Sequence, residues 1–402
     1  MKKDFIKGIS WLGALRGVGR SLAFVKTAIL ARILSPSSFG VFGIASIVLE
    51  LLEVLTETGV NIFLVQEKDK VDKYVSTAWT VSIIRGLVIS ILLVFCAPFI
   101  SGFFKSIDSL PLIYLIAVVP FIRGFINPAI IKFQKELTFN KEFFYSSSLF
   151  VVEAGVSIGL SILTHSPIAL IWGMVASALV EVLLSFLVVS PRPEVRIDFA
   201  LSKEIIKRGK WVTGAGIFNY LFLHGDDIIV GRVLGQTSLG FYQIAYRISI
   251  LPITEVADIF GRVAFPAYVK IGEDKERLRR SYLKIVLGIA ALVVPFGIVL
   301  FIFTKEIVLL VLGTKWIEII PVLKVLIIYG VVRAIVHPVY ALLLAFKKQK
   351  YIMLITFAGI VGLFVSIFPL ISKYGMVGAG ISALVGTAVT IPIIIYSLLK
   401  VL

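Results

Sequence analysis

The chain has 402 residues, of which 58% are hydrophobic, and its mean hydropathy is +1.01. Soluble domains are closer to half apolar, whereas here apolar runs of about 20 residues, long enough to cross a bilayer core of about 30 Å, recur from end to end. The composition excludes a soluble protein, and the absence of short alternating runs excludes a porin-like barrel. The net charge of +16 lies mostly in the loops between the runs, so topology explains it without a nucleic-acid partner.

Twelve segments are predicted to span the membrane as helices, six in each half of the chain. The first six are residues 9–34, 39–65, 75–104, 110–134, 143–164 and 167–189. The second six are residues 210–234, 239–265, 281–304, 317–346, 351–372 and 376–399. These segments predict an N-terminal lobe at 1–189, a linker at 190–209 and a C-terminal lobe at 210–402. The predicted fold class is therefore all-α and integral to the membrane.

Lysine and arginine residues are distributed unequally between alternate loops. The N-terminus, the linker and the loop after the eighth predicted span are basic, whereas the intervening loops carry few such residues. The positive-inside rule assigns basic loops to the cytoplasm. We therefore predict a multi-pass protein of the cytoplasmic (inner) membrane with both termini and the linker in the cytoplasm. The first segment lacks a small-residue cleavage site, so we expect it to be retained.

One segment occurs twice. The sequence ARILSPSSFGVFGIA at Ala31–Ala45 returns in the second half as GRVLGQTSLGFYQIA at Gly231–Ala245, with arginine, serine and glycine matched at fixed offsets. An even number of predicted spans separates the two copies, so both halves enter the membrane in the same orientation. The interpretation is an internal duplication, with two six-helix bundles related by a pseudo-twofold axis around a central cavity.

Basic residues also occur inside the predicted spans. An ionisable group there costs at least about 2.5–3.5 kcal/mol and by default faces an interior cavity. Arginine presents a planar fork that binds phosphate oxygens bidentately, so a cavity lined with arginine suits a phosphorylated anion. The predicted substrate-binding residues are Arg16, Arg20, Arg85, Arg123, Arg247 and Arg333.

Carboxylates inside the spans are candidates for coupling transport to proton or cation exchange. Asp227 aligns with Thr27 in the duplication, so only one half carries the acid. His337 lies one turn from Arg333 and can titrate in the physiological range, although a lone buried histidine is more often a hydrogen-bonded fixture. No catalytic residue, metal site or cofactor is predicted, because the HGDD sequence at 224–227 has the wrong spacing for zinc. The predicted coupling residues are Glu53, Asp226, Asp227, Glu255 and Asp258.

An alternative interpretation is that these charges only pair with one another and hold the helices in register. Arg20 with Glu53, and Arg247 with Glu255 or Asp258, are possible pairs of this kind. Helical periodicity assigns a charge to a face but does not identify its partner. Both interpretations therefore stay open at this point.

Four segments carry a family pattern. They are ARILSPSSFGVFGIA, DDIIVGRVLGQTSLGFYQIAYRI, FPAYVKIGEDKERLRRSYLKI and KYGMVGAGISALVGTAV, and together they extend over both halves. The pattern resembles the polysaccharide transporter (Wzx-type) family of the MOP flippase superfamily. The resemblance implies twelve to fourteen helices in two lobes around a central cavity. It also implies a substrate in which a polyprenyl pyrophosphate carries a short oligosaccharide, moved from the cytoplasmic to the outer leaflet.

The resemblance also implies the substrate and the partners of the chain. The moved unit would be a precursor of O-antigen, capsule or exopolysaccharide, the lipid tail would stay in the membrane lipid, and a polymerase or ligase of the same pathway would act afterwards. The expected mechanism is alternating access, in which two lobes rock about a site near the membrane midplane. No nucleic acid takes part in this scheme.

Other functions are weighed against this one. Within the superfamily they are a lipid II flippase, which usually has two more helices, and a MATE-like multidrug/cation antiporter, which should line its cavity with acids and aromatics. A membrane polymerase or ligase would usually carry a large extracytoplasmic loop, and no such loop is predicted here. The chain has no GxxxxGK[ST] sequence and is predicted not to hydrolyse ATP. We therefore predict a transporter and not an enzyme.

Overall fold

The computed structural model describes residues 2–60, 64, 72, 74–196, 198–272 and 274–402. Within its helices it describes the side chains except those at 2–10, 12, 16, 199–213, 215, 251 and 262. Every regular element in the described ranges is a helix, and no β-strand occurs among them. The all-α class predicted from the sequence is therefore confirmed.

The chain divides into two compact units, Met1–Tyr220 and Leu221–Leu402. The first unit contains most of the shorter helices and the beginning of a long one that continues into the second unit. Its described helices are α1 (Lys2–Ile33), α2 (Pro36–Leu55), α3 (Val75–Phe104), α4 (Ser109–Ile116), α5 (Val118–Arg123), α6 (Lys132–Lys135), α7 (Phe139–Thr164), α8 (Ile168–Val188) and the start of α9 (Phe199–Ile271).

The second unit contains the rest of α9 and five further helices among its described residues. These are α10 (Lys275–Ile302), α11 (Thr304–Val311), α12 (Ile320–Val336), α13 (Pro338–Ala345) and α14 (Gln349–Val401). A short 3-10 helix, Thr314–Ile319, leads directly into α12. Pro338 begins α13 directly after His337, so the chain changes helix at that histidine.

Seven helical segments of the described chain are long and apolar enough to cross a membrane. They are Pro36–Leu55, Val75–Phe104, Phe139–Thr164, Ile168–Val188, Lys275–Ile302, Thr314–Ala345 and Gln349–Val401. The pair Ser109–Arg123 and Pro128–Lys135, bent by 73°, is an eighth if it forms one span. The chain is thus a multi-pass membrane protein. The count of twelve stays a prediction, although α14 alone covers the last two predicted spans and is broken between them at Gly375.

Both copies of the duplicated segment contain a break at the same aligned position. In the first unit, α1 ends at Ile33 and α2 begins at Pro36; Ser35 between them is extended and accepts a hydrogen bond from the Ser38 amide over 3.2 Å. In the second unit the aligned residue, Gly235, breaks α9 with a φ of 84°. Serine is a favoured helix N-cap, and glycine is the residue that adopts positive φ most easily. The two copies therefore reach the same break by different local chemistry.

Two glycines allow α3 and α5 to pack closely in the first unit. A Cβ atom on Gly86 would lie 2.3 Å from the carbonyl oxygen of Pro120, and one on Gly124 would crowd the α3 backbone. Small residues at helix crossings are typical of membrane proteins. Arg85 and Arg123 adjoin these glycines in the sequence, so the close packing fixes where both arginines leave their helices.

Candidate functional site

Charged side chains from several helices of the first unit meet at one place. We call Glu53, Glu57, Arg85, Arg123 and Glu181 the N-terminal charge cluster. Glu53 lies on α2, Arg85 on α3, Arg123 at the end of α5 and Glu181 on α8, while Glu57 follows α2. Their side chains are partly buried, with exposed fractions between 22% and 37%. The structure thus brings together three of the predicted site residues, Glu53, Arg85 and Arg123.

Arg85 is held by the end of α2. Its Nη2 donates to the backbone carbonyl of Glu53 over 2.7 Å and lies 3.4 Å from Glu57 Oε2. Its Nε donates to the Thr56 hydroxyl over 3.3 Å. These contacts use much of the guanidinium fork, so in this conformation Arg85 ties α3 to α2.

Arg123 is shared between two carboxylates from different helices. Its Nη1 lies 3.8 Å from Glu53 Oε1, and its Nε lies 3.5 Å from Glu181 Oε2. Both distances exceed the 2.7–2.9 Å that is typical of a charge-assisted hydrogen bond. The buried Nε has no hydrogen-bond partner among the described residues. Arg123 is therefore neutralised electrostatically but held loosely.

Helix α1 carries the remaining cations of the predicted first span. Lys26 donates to the carboxylate of Glu153, which joins α1 to α7. Arg20 lies on α1 with an exposed side chain, and the side chain of Arg16 lies outside the described part of the chain. Lys26 thus follows the pattern of Arg85 and contacts a carboxylate within its own unit.

The second unit surrounds one arginine with neutral groups. We call Arg333, Tyr246, Tyr329 and Phe222 the Arg333 site. Arg333 Nη1 donates to the hydroxyls of Tyr246 and Tyr329, each over 3.1 Å. The guanidinium carbon lies 5.7 Å from the ring centroid of Phe222 and 5.8 Å from that of Tyr329. Among the described residues no carboxylate forms an ion pair with Arg333.

The chemical consequence is that Arg333 keeps its positive charge. Hydroxyl oxygens and ring faces stabilise a guanidinium, but neither group carries a formal negative charge. A guanidinium has five N–H donors, and the described contacts engage only Nη1 by hydrogen bonding. The site can therefore accept an anion with two or more oxygens.

Asp258 and His337 form a pair next to this site. Asp258 Oδ1 on α9 lies 3.2 Å from His337 Nε2. The backbone amide of His337 donates to the carbonyl of Arg333 over 3.0 Å, which continues the helical turn. The Nδ1 atom of His337 is buried and has no hydrogen-bond partner among the described residues. A Cβ atom added at Gly261 of α9 would lie 3.4 Å from this nitrogen.

The two consecutive acids of α9 bond to groups within their own unit. Asp226 Oδ2 accepts a hydrogen bond from the Tyr242 hydroxyl over 2.6 Å, and Asp226 Oδ1 accepts one from the Asp227 amide over 3.0 Å. Asp227 Oδ2 lies 3.3 Å from His224 Nδ1. Both carboxylates are buried. Both oxygens of Asp226 thus accept hydrogen bonds, and Asp227 faces a histidine.

Arg247 and Glu255 are the other two predicted site residues of α9. Arg247 is exposed, and Glu255 is partly buried. Neither is among the described contacts of Arg333. Tyr246, the neighbour of Arg247, is the residue of α9 that accepts a hydrogen bond from Arg333.

Sequence reasoning missed the tyrosines of the Arg333 site and two acids of the N-terminal charge cluster, Glu57 and Glu181. Tyr329 lies four residues before Arg333 on the same helix, so helical spacing carried a signal for this contact. Tyr246 and Glu181 reach their arginines from distant segments, and no local pattern marks them. The pair of His337 with Asp258 also joins two separate helices.

The fold and its buried charges define a helical multi-pass membrane protein, and comparison with known families makes this specific. A family model described as polysaccharide biosynthesis protein matches residues 29–321. The chain belongs to this family, which confirms the resemblance seen in its sequence.

Proteins of similar sequence come from several bacteria. Lipopolysaccharide biosynthesis protein WzxC of Escherichia coli (strain K12) is 27% identical over 86% of this chain and 70% of its own length. An uncharacterized membrane protein in the cps region of Klebsiella pneumoniae is 29% identical over 100% of this chain and 83% of its own. Teichuronic acid biosynthesis protein TuaB of Bacillus subtilis (strain 168) is 24% identical, with 85% and 71% covered.

Solved structures of the MOP type share the fold. Lipid II flippase MurJ, in an inward closed conformation, aligns with a TM-score of 0.78 at 15% identity, over 97% of this chain and 87% of that one. A multidrug resistance MATE family transporter of the MOP superfamily, in an inward-facing conformation, aligns with a TM-score of 0.70 at 14% identity, over 95% and 94%. At these identities the likeness establishes the fold, and it does not distinguish between the substrates of the two neighbours.

Proposed function

We propose that the chain is a flippase that moves polyprenyl-pyrophosphate-linked oligosaccharide from the cytoplasmic to the outer leaflet of the inner membrane. Membership of the family supports a role in polysaccharide biosynthesis, as do relatives named for lipopolysaccharide and teichuronic acid biosynthesis. The observation that carries the proposal is the Arg333 site, since it offers an uncancelled positive charge in a membrane-embedded helix.

The charge of Arg333 supports this proposal on electrostatic grounds. Arg333 lies in the apolar segment Thr314–Ala345, where a lone charge is expensive. A bound pyrophosphate supplies the negative charge that the described neighbours of Arg333 lack. Its oxygens can also accept hydrogen bonds from the guanidinium fork in a bidentate arrangement. The site is therefore expected to bind phosphorylated lipids more tightly than neutral or cationic ones.

The other predicted arginines are proposed as secondary contacts. They are Arg16, Arg20, Arg85, Arg123 and Arg247. Arg85 and Arg123 already contact carboxylates, so each would have to release an acid before it could bind an anion. Arg333 requires no such exchange and is the leading candidate. We propose proton or cation coupling through Glu53, Asp226, Asp227, Glu255 or Asp258.

The proposed architecture follows the duplication. Each half would contribute six spans, with an N-terminal lobe at 1–189, a linker at 190–209 and a C-terminal lobe at 210–402. Both termini would lie in the cytoplasm, and transport would proceed by alternating access. A polymerase or ligase of the same pathway would then receive the flipped unit.

A reconstituted transport assay tests this function. The purified chain is placed in sealed liposomes that contain a fluorescent polyprenyl-pyrophosphate oligosaccharide, and an external quencher reports the lipid exposed in the outer leaflet. Arg333→Gln removes charged hydrogen bonds worth about 1.5–3 kcal/mol, so we expect the rate to fall about 10- to 100-fold. Arg280→Gln is the matched control, because Arg280 is 73% exposed and pairs only with its helical neighbour Glu276 among the described residues.

Parallel substrates separate the alternatives. Lipid II and a cationic dye are offered to the same liposomes. Faster movement of lipid II would favour a lipid II flippase, and movement of the dye alone would favour an antiporter. Equal rates for Arg333→Gln and the Arg280→Gln control would remove the physical basis of the proposal.

A further inference from the structure

His337 occupies a position that the proposed function does not yet explain. It lies between the end of α12 and the beginning of α13, with Asp258 of α9 3.2 Å from its Nε2. Its Nδ1 is buried and without a hydrogen-bond partner among the described residues. Nε2 of His337 therefore contacts a carboxylate, whereas Nδ1 has no partner among the described residues and can bind a proton.

The arrangement defines where a proton can bind. A neutral imidazole carries one N–H, and the contact with Asp258 favours that N–H on Nε2, because a carboxylate accepts hydrogen bonds and does not donate them. Nδ1 is then the basic nitrogen. It packs against Gly261, where a Cβ atom would lie only 3.2 Å from Cε1 of the ring. A proton added at Nδ1 converts the contact with Asp258 into an ion pair.

The positive charge of Arg333 disfavours that proton. His337 follows Arg333 by four residues, so their side chains lie on neighbouring positions of the same helical face. Arg333 and a protonated His337 are both positive and repel each other, and an anion bound at Arg333 offsets this repulsion. Binding of an anion and binding of a proton therefore favour each other, and this linkage is reciprocal.

The net charge of the site also favours the uptake of a proton when a pyrophosphate binds. With His337 neutral, Arg333, Asp258 and His337 together carry no net charge, although Asp258 contacts His337 and forms no ion pair with Arg333. A pyrophosphate esterified at both ends carries two negative charges. One added proton makes the site positive and gives the pyrophosphate a second cation.

We propose that His337 is the second cation of the pyrophosphate site and takes up a proton at Nδ1 when the pyrophosphate binds Arg333. This inference rests on the proposed function. The charged groups that face His337 from the described elements are Asp258 on α9 and Arg333 on α12, and the Tyr340 ring of α13 lies 6.1 Å from it, centroid to centroid.

Calorimetry measures the proton directly. The purified full chain in detergent is titrated with a short-chain polyprenyl-pyrophosphoryl sugar in two buffers of different ionisation enthalpy, between pH 6 and 8. The probe is a pyrophosphate diester and does not itself titrate in this range. The difference in heat between buffers then counts the protons taken up by the protein. We expect wild-type uptake to approach about one proton where His337 is neutral before binding, with affinity rising by up to about tenfold for each unit of decreasing pH.

Variants of two histidines show which residue takes up the proton. His337→Gln should still bind the probe through Arg333, but with lower affinity and no proton uptake. His165→Gln is the matched control, since His165 is exposed at the end of α7, and it should take up protons as wild type does. The corresponding polyprenyl-phosphoryl sugar, with one negative charge, should bind more weakly and draw less proton uptake.

The outcomes separate the two claims. Binding with equal proton counts in wild type and His337→Gln, or with none in wild type, would overturn the role of His337 and leave the flippase proposal standing. If the wild-type chain bound no polyprenyl pyrophosphate at any pH, the proposed function would fail and this inference with it.

Discussion

Arg123 in the first unit and Arg333 in the second both lie inside predicted membrane spans, but their partners differ in kind. Arg123 contacts the carboxylates of Glu53 and Glu181. Arg333 contacts two tyrosine hydroxyls and two aromatic rings. Lys26 in the first unit also contacts a carboxylate.

This difference separates two uses of a cation in a membrane protein. A cation paired within the protein can join helices, and an anionic ligand must then compete with the carboxylate already present. A cation held by neutral donors keeps its charge for a ligand, and the hydroxyls keep the fork oriented while the site is empty. We therefore propose that the paired cations of the first unit join helices and that Arg333 of the second unit binds an anion.

The largest effect is expected when Arg333 is given a carboxylate of its own. Tyr329→Glu places an acid one helical turn before Arg333, as Arg280 has with Glu276 on α10. The new acid would compete with the pyrophosphate for the same guanidinium. We expect transport in the liposome assay to fall about 100-fold, which corresponds to a loss of about 2.7 kcal/mol in transition-state stabilisation.

Two further variants show whether the charge is responsible. Tyr329→Phe removes the hydroxyl without adding an acid and should slow transport by less than about tenfold, the value of one ordinary hydrogen bond. Tyr374→Glu adds an acid at an exposed tyrosine and should leave the rate unchanged. A rate for Tyr329→Glu equal to that for Tyr329→Phe would show that the charge at Arg333 is not used.

In the first unit, the opposite change removes the two carboxylates that contact Arg123. Glu53→Gln or Glu181→Gln leaves one carboxylate in place, so each single change should lower stability by less than about 1 kcal/mol, as for other partly exposed pairs. The double variant leaves Arg123 without either acid and should cost about 2–3 kcal/mol, because an uncompensated cation is far less stable than a paired one. Thermal unfolding in detergent gives these values.

Non-additive losses of stability would show that Glu53 and Glu181 share Arg123. In the double variant, the loss should exceed the sum of the two single losses, since both acids serve the same cation. Adding Arg123→Gln to the double variant should recover part of the stability. Glu276→Gln, which breaks an exposed pair on α10, is the control and should have little effect. Strictly additive losses would mean that Glu53 and Glu181 act independently.

Much of the fold was predictable because local signals determine it. Apolar segments of spanning length predicted the helices, and the duplicated sequence marked the position at which both α1–α2 and α9 break. The non-helical glycines of α9 and α14, Gly235 and Gly375, lie in the gaps between the spans predicted at 210–234 and 239–265 and at 351–372 and 376–399. Helix α9 also begins at Phe199, inside the predicted linker at 190–209.

The site was less predictable, because its contacts depend on how separate helices pack together. The sequence predicted that charged residues would be important, but it allowed Glu53 to pair with Arg20 and Asp258 to pair with Arg247. In the structure the described partners are Arg123 for Glu53 and His337 for Asp258. Residues far apart in the chain supply these contacts, and helical periodicity contains no information about which of two faces will meet.

The duplicated break offers the smallest and most local test, an exchange of the aligned residues. Gly235→Ser places a side chain at a φ of 84° and a ψ of 176°, a combination that is almost restricted to glycine. No neighbouring atom lies within 4 Å of the added Cβ, so the penalty is one of backbone strain alone, about 1 kcal/mol. Ser35→Gly, by contrast, replaces one good N-cap by another and should cost only a few tenths of a kcal/mol. Thermal unfolding of the two variants should therefore rank Gly235→Ser as clearly the less stable; equal losses would mean that the two copies form their break in the same way, and that the local chemistry has not diverged.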